Sequence, residues 1–198
     1  MITLWMANLD RPLHDFEVRQ LMSALPEWRR ERLERLKCDE WQREPLCAYW
    51  LLRRALRERF GWQELPEIVH APSGKPYFLK QSDVYFSISH TDGAVLVGLA
   101  DCEIGVDVER IRPVNERLLQ RFGCDSEMSF FEDWTRREAR AKRTGSPVEL
   151  RRESPLRPEE RIAYPECFPG YTACAVWLGE GSPEVRRLTM EELLEIKN

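Results

Sequence analysis

Apolar positions along the 198-residue chain change their period several times, and each change marks an element. The run Ile2-Thr3-Leu4-Trp5-Met6-Ala7 predicts a strand over 2–7. Phe16, Leu21, Met22 and Leu25 then recur at roughly helical spacing, which predicts a helix over 14–24. Pro26 suits the first turn of a second helix, followed by the charged stretch Trp28–Lys37. A longer helical pattern runs through Trp41, Leu46, Tyr49, Trp50, Leu52, Ala55, Leu56 and Phe60 until Gly61 stops it. After Pro66 the period shortens. Ile68-Val69, residues 84–88 and residues 94–100 read as strands, and Asp92-Gly93 makes the last two a hairpin. Asp101-Cys102-Glu103 turns into another short strand, Ile104–Glu109. Residues 114–122 and 125–145 return to a helical pattern, Tyr171–Leu178 is a strand and 179–183 a turn. Thr189 with Glu192 resembles a capping box opening a last helix over 189–197. Residues 146–169, rich in Pro, Arg and Glu, are expected to form a long surface loop.

Helices then strands, and helices then a strand again, predict an α+β fold with two lobes meeting near residues 100–112, although no exact internal repeat is present. Composition narrows the class. The chain is 42% hydrophobic and 32% charged, enough to bury a real core. Mean hydropathy is −0.53, and no apolar run approaches the ~20 residues a membrane span requires. The first residues carry no basic leader, so no signal peptide is expected and the cytoplasm is the expected location. The 34 acids and 30 bases leave a net charge of −4, against a general nucleic-acid binder. The six cysteines form no CxxC pair and no zinc spacing with His14, His70 or His90. They are expected to be reduced and mostly buried.

Four stretches could carry chemistry. In Gly105-Val106-Asp107-Val108-Glu109, strand alternation turns Ile104, Val106 and Val108 one way and Asp107 and Glu109 the other. Like charges side by side are costly unless a cation relieves them, and hard divalent cations take carboxylate and phosphate oxygens. A pair of solvated acids on an exposed strand is the plainer reading of the pentapeptide alone. In Trp134-Thr135-Arg136-Arg137-Glu138-Ala139-Arg140-Ala141-Lys142, helical spacing puts Trp134, Glu138 and Lys142 on one face. That face is either an ordinary Glu–Lys pair or, against the acidic strand, a third carboxylate with a phosphate-reaching lysine. Ser73-Gly74-Lys75-Pro76 is a turn that could admit a phosphate, and Phe86-Ser87-Ile88-Ser89-His90-Thr91 is a strand ending in hydrogen-bonding side chains. No G-x-S-x-G elbow, P-loop or G-x-G-x-x-G is present.

Taken in order, Gly74-Lys75-Pro76, Ser89-His90-Thr91, Gly105–Glu109 and Trp134–Lys142 resemble the 4′-phosphopantetheinyl transferase family, in its two-lobed surfactin-synthetase-activator type. Pro169-Gly170-Tyr171, Ala175-Val176 and Glu191-Glu192-Leu193-Leu194 extend the likeness over nearly the whole chain. The chain departs from the family at Arg137, where the family has lysine, and at Ser87, where it has asparagine.

The resemblance implies a pseudo-twofold α+β fold. An N-terminal lobe (1–103) would hold the adenine and 3′-phosphate of coenzyme A, and a C-terminal lobe (104–198) the carboxylates and Lys142, with the active site between. It implies transfer of the phosphopantetheine arm of coenzyme A to a serine of an apo acyl or peptidyl carrier protein, releasing 3′,5′-ADP. Magnesium, or manganese in its place, is expected on Asp107, Glu109 and Glu138, with Glu138 and Lys142 catalytic. Coenzyme A would meet Arg43, Gly74, Lys75, Pro76, Ser89, His90, Asp107 and Lys142. Arg29, Arg30, Arg32 and Arg35 are also at hand, but Arg43 matches a family position better. An acidic carrier would face Arg117, Arg121 and Phe122, unless that helix simply turns its apolar side to the core. Partners are thus coenzyme A and a carrier protein, with no nucleic acid or membrane, and a monomer is expected. The alternatives are a non-catalytic coenzyme A or nucleotide-binding module of the same fold, and a metal-free interaction domain.

Overall fold

The structure is a computed structural model that describes residues 1–35, 43–150 and 154–195. Trp41, Cys38, Lys37 and the end of the closing helix at 196–197 fall outside the described residues. The elements run β1 (Ile2–Asn8), α1 (Asp15–Ser23), α2 (Glu27–Glu34), α3 (Arg43–Phe60), β2 (Ile68–His70), β3 (Pro76–Phe78), β4 (Tyr85–Thr91) and β5 (Ala94–Ala100). They continue with β6 (Ile104–Arg110), α4 (Glu116–Phe122), α5 (Glu127–Thr144), β7 (Glu160–Ala163), β8 (Tyr171–Leu178), β9 (Glu184–Leu188) and α6 (Met190–Leu194). The mixture of helices and sheets is the α+β class expected.

Strand alternation builds the layers. A first sheet has the order β4-β5-β1-β9 and a second the order β6-β8-β7, with a β2-β3 hairpin beside them. On one face of the first sheet, Trp5, Ala7, Val95, Val97 and Leu99 pack with Leu51, Leu52 and Leu56 of α3. On its other face Leu4, Met6 and Leu96 meet Val106, Val108, Ala173 and Ala175 of the second sheet. The far face of the second sheet gives Cys174 and Val176 to Ala139 of α5. Each strand thus divides its residues between two cores, as a period of two requires.

Two expectations are corrected. Residues 146–169 are not all loop, because β7 pairs antiparallel with β8, Ile162 opposite Val176. Its first residue, Glu160, is a carboxylate turned inward, so the apolar alternation that marks a strand is missing. Residues 184–188, to which the sequence pattern assigns no element, form β9 and pair in parallel with β1, Leu4 opposite Val185. Leu193 of α6 joins the first core, and the Trp50 indole N–H donates to its carbonyl at 2.8 Å. The C-terminal residues therefore share the core of the first sheet rather than staying with residues 104–178. The five described cysteines are free, but only Cys47 and Cys174 are buried. Burial pushes the Cys47 thiol up to about 12, which leaves it inert. Among the described residues, no helix is long and apolar enough to cross a membrane.

Candidate active site

The site lies where α5 crosses β6. Ser126 caps the start of α5, accepting from the Ser129 N–H, and Gly145 ends it in the left-handed conformation that favours glycine. At Gly105 the helix backbone packs directly on the strand. A Cβ there would stand 2.0 Å from the Ala139 carbonyl oxygen and 2.4 Å from the Arg143 nitrogen. Only glycine admits this approach, and it brings Glu138 and Lys142 over Asp107 and Glu109.

Asp107 is 4% exposed. Its Oδ1 accepts from Lys142 Nζ at 2.6 Å and from the Ser89 hydroxyl at 2.7 Å. Its Oδ2 is buried with no hydrogen-bond partner, a costly state for a carboxylate oxygen. Burial pushes the Asp107 carboxyl up, against the pull of Lys142 and Ser89, and Glu109 adds to the rise. Glu138 is half-buried, and burial, then Asp107 and Glu109, raise its pKa while Lys142 opposes them. Glu109 Oε2 accepts from Arg112 at 2.9 Å and from the Thr91 hydroxyl at 3.4 Å.

The three carboxylates are thus brought within one another's fields, with Lys142 between them as counter-charge. They do not form a ready cage: among the described residues, no group of three His, Cys, Asp or Glu side chains could hold a metal ion as it stands. The donor chemistry nevertheless suits a hard cation. The set is all oxygen, it repels itself, and it keeps one buried oxygen without a partner.

Two cavities flank this cluster. The first, of about 490 Å³, lies on the Glu138 side and is lined by Gly74, Lys75 and Pro76 of the β2–β3 turn, by Ser87 and His90 of β4, and by Glu138 and Lys142. Gly145 lets the turn approach the end of α5, since a Cβ there would meet Ser73 Oγ at 2.5 Å. Lys75 Nζ donates to the Arg143 carbonyl, and burial lowers its pKa against the pull of Glu103. His90 is open to solvent, yet the recess walls desolvate its ring and Lys142 repels its proton, so its pKa lies below the usual 6.5.

Arg29, Arg32, Tyr49 and His70 also line this cavity. The Arg29 guanidinium lies 3.9 Å from the centre of the Tyr49 ring. The signal for Arg29 and Arg32 was present as basic residues three apart on one helix, but nothing in the sequence aimed them. Arg43 does not line the cavity: its Nε donates to Glu44 at 2.9 Å and its Nη1 to the Arg11 carbonyl at 3.3 Å. Ser89 is buried at 4% exposure and lies outside the lining as well.

The second cavity, also about 490 Å³, opens on the Glu109 side between α4 and α5. Its walls include Arg121, Phe122, Phe130, Phe131 and Trp134, so Phe122 and its neighbours border a cavity rather than a closed core. Arg117 is exposed and outside this lining. Arg137, which replaces the family's lysine, is buried and donates to Asp133 at 2.5 Å and to the Glu149 carbonyl at 2.5 Å.

No protein-family model matches the chain. It is similar to curated proteins, among them a 4′-phosphopantetheinyl transferase of Bacillus subtilis, 26% identical over 156 residues that cover 72% of this chain and 70% of that protein. Sfp of Bacillus subtilis (strain 168), also named a 4′-phosphopantetheinyl transferase, is 26% identical over 164 residues, with 72% and 70% covered. AcpT of Escherichia coli O157:H7, of the same description, is 35% identical over 117 residues, which cover 51% of this chain and 60% of AcpT. The resemblance carried by the four motifs is therefore a likeness to several proteins of one named activity.

Proposed function

We propose that this chain is a 4′-phosphopantetheinyl transferase that moves the phosphopantetheine arm of coenzyme A onto a serine of an apo carrier protein and releases 3′,5′-ADP. The observation that carries the reading is the meeting of β6 and α5, where Asp107, Glu109, Glu138 and Lys142 gather between a basic cavity and an apolar one. Transfer from a diphosphate suits such an arrangement, with cations on the nucleotide side and room for the acceptor on the other.

Coenzyme A carries two separated groups of negative charge, and the first cavity offers cations at separate points. Lys75, Arg29 and Arg32 serve the 3′-phosphate end, with Gly74 and Pro76 as the wall beside the adenine. Lys142 reaches the diphosphate and stabilises the departing ADP oxygen. The carrier serine Oγ attacks the phosphorus of the phosphopantetheine, the bond from that phosphorus to the ADP oxygen breaks, and the serine proton passes to Glu138. Glu138 lines the cavity that would hold coenzyme A, which places its carboxylate to accept that proton directly or through water. Asp107, Glu109 and Glu138 would hold magnesium, with manganese as the alternative, and the ion would supply charge neutralisation to the diphosphate. The carrier approaches on the α4 side, where Arg121, Phe122 and the exposed Arg117 give a basic and apolar surface.

Two lobes meeting near residue 103 accompany this reading. Support comes from the parallel build of the two halves: each large sheet carries one 18-residue helix, α3 or α5, on its outer face. Residues 184–194 belong with the first lobe in this scheme. A cytoplasmic location and a monomer go with this reading.

The test is direct. The protein is incubated with coenzyme A, magnesium and a panel of apo carriers, and the carriers are weighed. A mass gain equal to phosphopantetheine is expected on at least one. Coenzyme A binding without any mass gain across the panel would replace the transferase by a binding module.

A further inference from the structure

Strands β4 and β6 lie side by side at the junction of the two sheets but belong to different hydrogen-bonded ladders. Their link is made by side chains. The Val106 N–H donates to the Ser87 hydroxyl at 3.0 Å, the Val108 N–H to the Ser89 hydroxyl at 3.3 Å, and the Arg110 N–H to the Thr91 hydroxyl at 3.4 Å. Every second residue of β4 thus meets every second amide of β6, at a constant offset of 19 residues. In an ordinary sheet these acceptors would be carbonyls. A hydroxyl differs because it can accept from the amide and still donate its own proton onward.

Two of the three do so. Ser89 donates to Asp107 Oδ1 at 2.7 Å, and Thr91 donates to Glu109 Oε2 at 3.4 Å. Ser89 is then saturated. Its single proton is on Asp107, and its lone pairs take the Val108 N–H and Lys142 Nζ, the latter at 2.9 Å. Nothing is left on it for a phosphate, and it is absent from the cavity wall formed by Ser87 and His90.

We infer that Ser89 and Thr91 are positioning residues, which join the two sheets and aim the Asp107 and Glu109 carboxylates from the neighbouring strand without touching the nucleotide. The kinetic part of this inference rests on the transferase reading. The seam itself does not.

Ser89→Ala and Thr91→Val in the full chain separate the alternatives. Transfer is measured against coenzyme A concentration. Positioning residues are expected to lower kcat about tenfold to a hundredfold and leave KM for coenzyme A within about twofold. Thr91→Ser, which keeps the hydroxyl, is expected to restore kcat. A raised KM with unchanged kcat would make Ser89 a nucleotide ligand and overturn the inference, as would equal loss in Thr91→Ser and Thr91→Val. Backbone amide exchange needs no activity: Val108 is expected to exchange faster in folded Ser89→Ala while Val106 keeps its protection. Unchanged protection of Val108 would remove the seam. Thr91 is half-exposed, so its variants decide the matter if Ser89→Ala does not fold. A wild-type protein that transfers nothing would defeat the transferase reading alone, leaving the exchange result to judge the seam.

Discussion

The Lys142 ammonium stands 2.6 Å from one oxygen of Asp107, while the other oxygen of the same carboxylate is buried without a partner. The lysine therefore neutralises the aspartate without completing its hydrogen bonding. Lys142→Met removes the charge and keeps much of the apolar stem. In transfer assays kcat is expected to fall about a hundredfold, with a smaller change in coenzyme A affinity. Equal losses in both would reduce Lys142 to a binding residue.

Glu138→Gln keeps the size of the side chain and removes the charge proposed to accept the serine proton and to hold a cation. Transfer is expected to fall by at least about a hundredfold. Circular dichroism and thermal unfolding should match the wild type, because the half-buried carboxylate is not needed to hold the helix. Near-normal turnover in a folded Glu138→Gln would remove it from the mechanism.

Arg29 and Arg43 give opposite expectations. Arg29 lines the cavity on the Glu138 side, where coenzyme A is proposed to bind, and Arg43 is committed to Glu44 and the Arg11 carbonyl. A charged hydrogen bond is worth about 1.5–3 kcal/mol, so Arg29→Ala should raise KM for coenzyme A roughly tenfold to a hundredfold. Arg43→Ala should lower thermal stability and leave that KM nearly unchanged. The reverse result would restore Arg43 as the nucleotide ligand.

Glu160 is a buried carboxylate bound at 3.0 Å by Arg140 and at 2.9 Å by Arg143. Burial opposes its ionisation, but the hydrogen bonds from Arg140 and the Arg157 N–H, with the charges of Arg140 and Arg143, outweigh it and hold its pKa below the usual value. A depressed carboxylate stabilises the fold above its unfolded pKa of about 4.3, and that stability is lost as pH falls. Glu160→Gln is expected to cost about 3 kcal/mol at neutral pH, or roughly 6–12 °C in Tm. The gap to wild type should narrow below about pH 4.3. A gap that stays constant into acid would show that the charge is not what matters.

Gly105→Ala should force α5 away from β6. Overpacking of this kind costs about 1–3 kcal/mol, and here the obstacle is backbone. Both Tm and kcat are expected to drop, since Glu138 and Lys142 move with the helix. A stable, fully active variant would mean that the close approach is unimportant.

Much of this organisation was legible in the residues. The alternation in Ile104–Glu109 put three apolar side chains in one core and two acids on the other face, and spacing alone aligned Glu138 with Lys142. What escaped notice was polar or distant in sequence. β7 hides because its inward residue is a glutamate held by arginines. β9 hides because Glu184-Val185-Arg186-Arg187-Leu188 is mostly exposed and finds its partner at the other end of the chain. That Arg29 lines a cavity while Arg43 bonds to Glu44 and the Arg11 carbonyl was not legible either, because a sequence does not say which ion pairs are already taken. The bonds of Ser89 to β6 were not legible, because a serine beside a histidine at a strand end carries no mark of the strand next to it.

The parallel pairing of β1 with β9 has a topological consequence. The second sheet and α5 are inserted, in chain terms, between two stretches of the first sheet, so the two halves are threaded together rather than strung in series. A fragment ending near residue 103 would expose the edge of β1 and lose Leu193 from beneath Trp50. The two sheets are therefore expected to melt in one transition rather than two.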